Sequence, residues 1–306
     1  MNYNPLLLID FYKATHAEQY PAGMTRLVSY YTPRMSRLAD TDKVTFFGLQ
    51  YFINEYLVKG FNDNFFNRPK EEVMKEYTRI IDYTLGKDSA GYDKIAALHD
   101  LGYLPLQIAA VPEGTRTKIG VPQLMITNTH PDFAWLVNTI ESAISATLWH
   151  AQVSAEVGVR YWNIVKPYWE KTCDNSINPH RLLGDFSFRG QHSIESATLS
   201  SMGWLLSFYN TATVPAIMAM EDEELIDEYY REAAGALAEG RQMPSFYTWA
   251  AEKRALRDAK VNESVATGVD LMYNRDSEGS GIKEREGEYS EIDGSGLDKD
   301  SLWRPE

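Results

Sequence analysis

Apolar residues recur along this chain in two rhythms. Between Val44 and Val58 the large apolar groups fall at Leu49, Phe52, Ile53, Tyr56 and Leu57, one face of a 3.6-residue period, which predicts an amphipathic helix. From Asp132 to about Tyr168 the same period returns through Phe133, Leu136, Val137, Ile140, Ile144 and Leu148, and Pro131 with Asp132 supplies a helix start. Two shorter runs, Leu104 to Val111 and Gln123 to Thr127, alternate or concentrate apolar residues between Gly, Pro and Glu breakers. They read as strands, and Val111-Pro112-Glu113-Gly114 opens the turn region between them, so a hairpin or a sheet corner is expected. The opening segment, Met1 to Asp10, carries a four-residue apolar run without a basic flank or a small-residue cleavage site. It is expected to be a first strand or turn of the fold, not a signal peptide.

The second half of the pattern suggests strand and helix in alternation. Leu182 to Gly190 is short and partly apolar, and Ser193 is placed to cap a helix running to about Phe208. Thr213 to Met218 is apolar again, and Glu221 to Ala238 reads as a helix with acidic residues in its first turn, where the macrodipole favours them. Repeated βα units point to an α/β sheet or barrel. Residues 275–306 hold ten acidic against five basic residues and five glycines, with apolar groups too scattered to form a face. That segment is expected to be a flexible acidic tail, or else a solvated surface of a longer fold.

Composition narrows the chemistry. Forty-three Asp and Glu outnumber thirty Lys and Arg, for a formal charge of −13 over 306 residues, which lacks the basic footprint of nucleic-acid binding. No apolar stretch approaches the roughly 20 residues that span a bilayer, so no membrane partner is expected. Cys173 is the single cysteine; an intrachain disulfide is impossible, and a reducing, cytoplasmic setting fits. The six histidines, at 16, 99, 130, 150, 180 and 192, show no metal-binding spacing. There is no GxSxG, P-loop or GxGxxG, and Gly279-Ser280-Gly281 and Gly294-Ser295-Gly296 sit among acids that repel phosphate.

Two stretches look chemical. Asp185-Phe186-Ser187-Phe188-Arg189-Gly190 sets a carboxylate, two aromatic rings and a guanidinium just before a helix start. Such a mixture suits a planar, anionic ligand: Arg grips phosphate or carboxylate through paired hydrogen bonds, rings stack on a heterocycle, and helix N-termini attract anions. The same six residues also fit an ordinary surface loop with core phenylalanines. Asp10-Phe11-Tyr12-Lys13-Ala14-Thr15-His16 is dense in polar groups beside an apolar run. By itself it fits a capped helix start equally well.

Taken together, several blocks resemble the nicotinamide phosphoribosyltransferase family. They are Asp10 to His16 with Gln19-Tyr20-Pro21, Ser29-Tyr30-Tyr31 with Arg34, Phe47-Gly48-Leu49-Gln50-Tyr51, Val111 to Gly114, and Asp185 to Gly190. Their order and spacing follow the family up to about residue 215, and the THxxQYP block separates it from nicotinate-using relatives. The resemblance implies a type II phosphoribosyltransferase. Its fold would be a mixed α+β N-terminal region, residues 1–178, followed by a βα barrel, here partial, over 179–274, with the acidic tail after it. The implied reaction joins nicotinamide to 5-phosphoribosyl pyrophosphate with Mg2+, giving nicotinamide mononucleotide and pyrophosphate for NAD salvage. The implied assembly is a homodimer with shared active sites. Phe186 and the partner subunit's Tyr12 would sandwich the pyridine ring. Arg189 would lie by the ring and the phosphoribosyl group, Arg34 would reach phosphate across the interface, and Asp10 would belong to the same site.

The sequence also departs from the family. Ala212 stands in Asn210-Thr211-Ala212-Thr213-Val214 where the family has an aspartate that accepts the nicotinamide amide, and Thr248 stands where it has a phosphorylated histidine. Arg304-Pro305-Glu306 closes the sequence near an RPDSG-like strand past which the family continues. These departures imply an incomplete barrel, to be finished by a complementing chain if the protein is active. The alternative they raise is a catalytically impaired homologue acting as a binding or regulatory subunit.

Overall fold

The computed structural model describes residues 3–37, 40–87, 89–173 and 178–220, together with 253 and 291–292. Residues 1–213 with 290–306 form one compact unit, and residues 214–289 form a second, of which 214–220 are helical.

The first unit opens with a 3-10 turn at Pro5–Leu7, capped by Asn4 Oδ1, which accepts from Leu6 N at 3.1 Å. The opening segment is thus a turn, its Leu6 fully buried. A second 3-10 turn, Phe11–Thr15, leads into the single turn α1 (His16–Gln19). Strands β1 (Val28–Tyr31) and β2 (Lys43–Thr45) follow. The chain then enters α2 (Leu49–Phe52), which continues as π-helical turns over Ile53–Gly60 and Asn62–Phe66. Next come α3 (Lys70–Leu85) and α4 (Tyr92–Leu101).

The helix expected over 44–58 therefore starts five residues later, at Leu49. Its first residues belong instead to β2, and Gly48, at φ +100°, makes the turn between them. A side chain there would be strained by that φ, and its Cβ would stand 2.8 Å from Ala151 Cβ. Beyond Phe52 the buried apolar positions of this stretch are Leu57, Phe61 and Phe65, with Asn54 buried beside them. The five-residue step from 52 to 57 exceeds an α-helical turn, and the widened π turns bring those groups onto one buried side.

The sheets follow the sequence pattern more closely. Strands β3 (Leu106–Ala110) and β5 (Leu124–Asn128) pair antiparallel, and β1 pairs antiparallel on the other side of β5. Between them β4 (Arg116–Lys118) leaves to pair with β2. The turn region is consequently a sheet corner, and β8 (Glu291–Ile292) adds to β4 in parallel. The remainder of the 275–306 segment and the helix expected over 221–238 lie outside the described residues.

After a 3-10 turn at Pro131–Phe133 come the single turn α5 (Leu136–Thr139) and the 32-residue α6 (Glu141–Thr172), which passes through Pro167. Helix α6 is tied to the second sheet by Glu156. This buried carboxylate accepts from Arg116 Nη2 at 2.6 Å, Arg116 Nε at 3.3 Å and Thr45 Oγ1 at 2.9 Å. Strand β6 (Gly184–Asp185), helix α7 (Ile194–Trp204) and strand β7 (Asn210–Thr211) form one parallel βαβ unit, with Gly184 opposite Asn210 and Asp185 opposite Thr211. Within the described residues these two strands make a sheet of their own.

The second strand was expected at 213–218, and this is corrected: it lies at 210–211, and 214–220 are helical. Thr213 N donates to Thr211 Oγ1 at 2.9 Å, a local turn that takes the backbone out of the ladder. Pro215 then has no N–H to give a strand partner but is tolerated in a first helical turn.

Candidate functional site

The two stretches singled out by chemistry are held on different elements, and each is clamped at its carboxylate. Asp185 ends β6 and is 8% exposed. Its Oδ1 accepts from Ser187 N at 2.9 Å, and its Oδ2 takes longer hydrogen bonds from Thr211 Oγ1 at 3.4 Å and Thr213 Oγ1 at 3.5 Å. Thr211 also shares a 2.5 Å hydrogen bond with Ser201 on α7. Burial pushes the Asp185 carboxyl up, but the donors outweigh it, led by the backbone and side chain of Ser187, and the group titrates below its ordinary value. It is a charged carboxylate spent on holding structure.

What it holds is the loop that follows. Phe186 projects into solvent, 79% exposed, and Phe188–Gly190 closes a 3-10 turn that leaves Arg189 exposed as well. The flat faces of the Phe186 ring are thus open to solvent. The loop is also fixed at its far end. Ser193 caps α7 by accepting from Ser196 N at 3.0 Å, as its position in the sequence suggests, although the helix ends at Trp204 and not at Phe208. Glu195 in the first turn accepts from Tyr56 Oη at 2.5 Å and, more loosely, from Tyr51 Oη at 3.4 Å. Burial, reinforced by Glu195, raises both phenols well above the usual tyrosine range.

The other stretch packs on the start of α6. Tyr12 Oη donates to Asp10 Oδ2 at 3.2 Å, and Ser142 Oγ donates to the same oxygen. The Asp10 carboxyl titrates below its ordinary value, with the Ser142 hydrogen bond the first cause. Lys13 is paired with Glu141. The Tyr12 ring is 47% exposed and touches Phe11 and His16 of its own turn, at centroid distances of 6.0 and 5.5 Å. A cleft of about 540 Å³ opens beside it, lined among others by Asp10, Ser142, Thr147, His150, His192 and Glu195.

Of the sequence-derived site residues, the structure joins Asp10 to Tyr12 and places Phe186 with Arg189. Arg34 is exposed on the loop after β1. Ala212 is exposed beside the Asp185 clamp, its N donating to Asp185 O at 2.8 Å; Thr248 lies outside the described residues. Among the described residues no group of three or more His, Cys, Asp or Glu side chains is placed to hold a metal ion. No described helix is long and apolar enough to cross a membrane. Ser142, Glu141, Thr211, Thr213 and Glu195 went unassigned in the sequence. The Thr211-Ala212-Thr213 spacing was a usable signal for two hydroxyls close together at the end of a strand, whereas nothing local marks Glu141 or Ser142.

Comparison with known proteins bears on the family and the fold. Residues 4–108 match the family described as nicotinamide phosphoribosyltransferase, N-terminal domain. The chain is 42% identical over 232 residues to a nicotinamide phosphoribosyltransferase of Acinetobacter baylyi, covering 74% of this chain and 45% of that protein. It is 27% identical over 254 residues to one from Xanthomonas campestris, covering 82% and 50%. The chain spans about half the length of the curated relatives it matches. In fold it is similar to the crystal structure of human nicotinic acid phosphoribosyltransferase, with a TM-score of 0.50 at 16% identity over 68% of this chain and 36% of that one.

Proposed function

The chain belongs, through its N-terminal part, to the nicotinamide phosphoribosyltransferase family, and from that premise we propose that it serves phosphoribosyl transfer to nicotinamide in NAD salvage. In that reaction the pyridine nitrogen lone pair forms a bond to C1′ of 5-phosphoribosyl pyrophosphate. The bond from C1′ to the pyrophosphate oxygen breaks, and pyrophosphate leaves with the electron pair. The products are nicotinamide mononucleotide and pyrophosphate. The base is neutral and flat, so it is held by ring faces; the co-substrate is polyanionic, so it is held by guanidinium groups while positive charge develops on the ribose.

The observation that carries this reading is the Asp185 clamp, which orders a loop whose Phe186 ring and Arg189 guanidinium both face solvent. Tyr12 offers a second exposed ring from a different element, and within one chain its ring contacts are with its own turn. We read the base site as shared between two copies, with the partner's Tyr12 closing over Phe186 and Arg34 supplying positive charge to phosphate. The test is a Mg2+-containing assay of the purified full chain with nicotinamide and phosphoribosyl pyrophosphate, the product followed by mass. Nicotinamide mononucleotide should form and should fall at least tenfold in Arg189→Ala. A folded protein that forms none, or an Arg189→Ala variant as active as its parent, refutes the reading.

A further inference from the structure

Tyr12 has an exposed ring on a fixed hydroxyl. An exposed tyrosine free at both side-chain torsions must be ordered when a ligand arrives, and that ordering weakens binding. Here two tethers leave the turn from either side of Tyr12 and end on adjacent residues of one helix. Through the first, Tyr12 Oη donates to Asp10 Oδ2, Ser142 Oγ donates to that same oxygen, and Asp10 N donates back to Ser142 Oγ at 3.4 Å. Through the second, Lys13 pairs with Glu141. The Lys13 side chain is only 6% exposed, and its Nζ stands 5.7 Å from the Tyr12 ring centroid. Its carboxylate partner Glu141 is more open, at 59% exposed, so the pair holds the buried ammonium end of Lys13 at the start of α6. The Asp10 end is a charge-assisted contact, the stronger kind of hydrogen bond.

We propose that Glu141 and Ser142 are positioning residues for Tyr12: the first turn of α6 sets, through Lys13 and Asp10, the angle at which the Tyr12 ring is presented to a planar heterocycle. The functional half of this inference rests on the base-stacking reading above; the structural half does not. Helix α6 is a suitable platform because it is 32 residues long and is anchored elsewhere by the buried Glu156. Its first turn is itself packed, with Ile140 and Ile144 buried on either side of Glu141 and Ser142.

The test uses the full chain with 3-fluorotyrosine placed at position 12, in parent, Ser142→Ala, Glu141→Gln and Ser142→Thr backgrounds. Fluorine NMR without substrate reports the ring directly. The parent and Ser142→Thr should give one narrow resonance, while Ser142→Ala and Glu141→Gln should shift or broaden it. With unlabelled protein, KM for nicotinamide should rise about three- to tenfold in Ser142→Ala, the range expected for one lost hydrogen bond. In that variant kcat should stay within twofold, and Ser142→Thr should restore the parent KM. Unchanged fluorine spectra in both Ser142→Ala and Glu141→Gln overturn the proposal. So does an unchanged KM in Ser142→Ala when Tyr12→Ala raises it. If Tyr12→Ala itself leaves KM unchanged, the base-stacking reading is what fails, and the fluorine spectra alone decide whether α6 orients the ring.

Discussion

Gly203 is the last residue but one of α7, where that helix packs on α6, and replacing it with alanine sets two effects of opposite sign against each other. By helix propensity alone, Gly203→Ala would stabilise by up to about 1 kcal/mol in a helix interior, and by less this near the end of α7. At this position, however, the added Cβ would stand 2.8 Å from both Ala151 O and Ala155 N, and 3.2 Å from Ser154 Cβ. Ordinary contact between carbon atoms begins at roughly 3.5 Å, and the two nearest atoms are backbone of a long helix that cannot rotate away. The helices must part instead. Gly158 repeats the constraint further along α6, with Ser207 Oγ 3.2 Å from where its Cβ would be. Overpacking of this kind costs about 1–3 kcal/mol, and contact against backbone places it near 3, so the net expectation is a loss of about 2–3 kcal/mol. Equilibrium urea unfolding, read as a lower midpoint at unchanged slope, measures it. Since α7 carries Ser193 and Glu195, the separation should also loosen the Phe186 to Arg189 loop. A variant as stable as its parent, or more stable, would refute the claim that α6 and α7 meet through a glycine gap.

Two further outcomes follow from the carboxylates. Removing Glu156 takes the acceptor from Arg116 and Thr45 at once; Glu156→Ala should cost about 3 kcal/mol in the same unfolding assay, and a loss under 1 would count against α6 being pinned there. Asp185 has a folded pKa below its ordinary 3.8, so its share of stability is present above that pH and is lost as pH falls through the lower folded value. Acid unfolding should therefore begin below about pH 4 and flatten in Asp185→Asn, which a pH series of thermal melts checks.

Much of the scaffold was legible because it is written locally. The alternation in Leu106 to Ala110 and Leu124 to Asn128 places strands, the period from Leu136 to Leu148 places helix, and Ser193 marks the start of α7 by a hydrogen bond spanning three residues. Strand β2 was hidden because three residues show no period of their own. Strand β7 was misplaced because the apolar run after it is helical, with Thr213 turning the chain out of the ladder first. The stacking and charge of Phe186, Arg189 and Tyr12 could be named from composition and order, since the chemistry of a side chain needs no neighbours to be recognised.

The sequence alone thus determined which residue types are available for chemistry, where local periodicity makes helix or strand, and which family the N-terminal part resembles. Tertiary structure decided what holds those residues: Ser142 reaches Asp10 across 132 positions, Glu141 reaches Lys13 across 128, and Tyr56 reaches Glu195 across 139. Periodicity and capping act within a turn or two of the chain. A contact between groups more than a hundred residues apart exists only after α6 has been laid against the sheets and α7 against α6, and no local pattern encodes that distance.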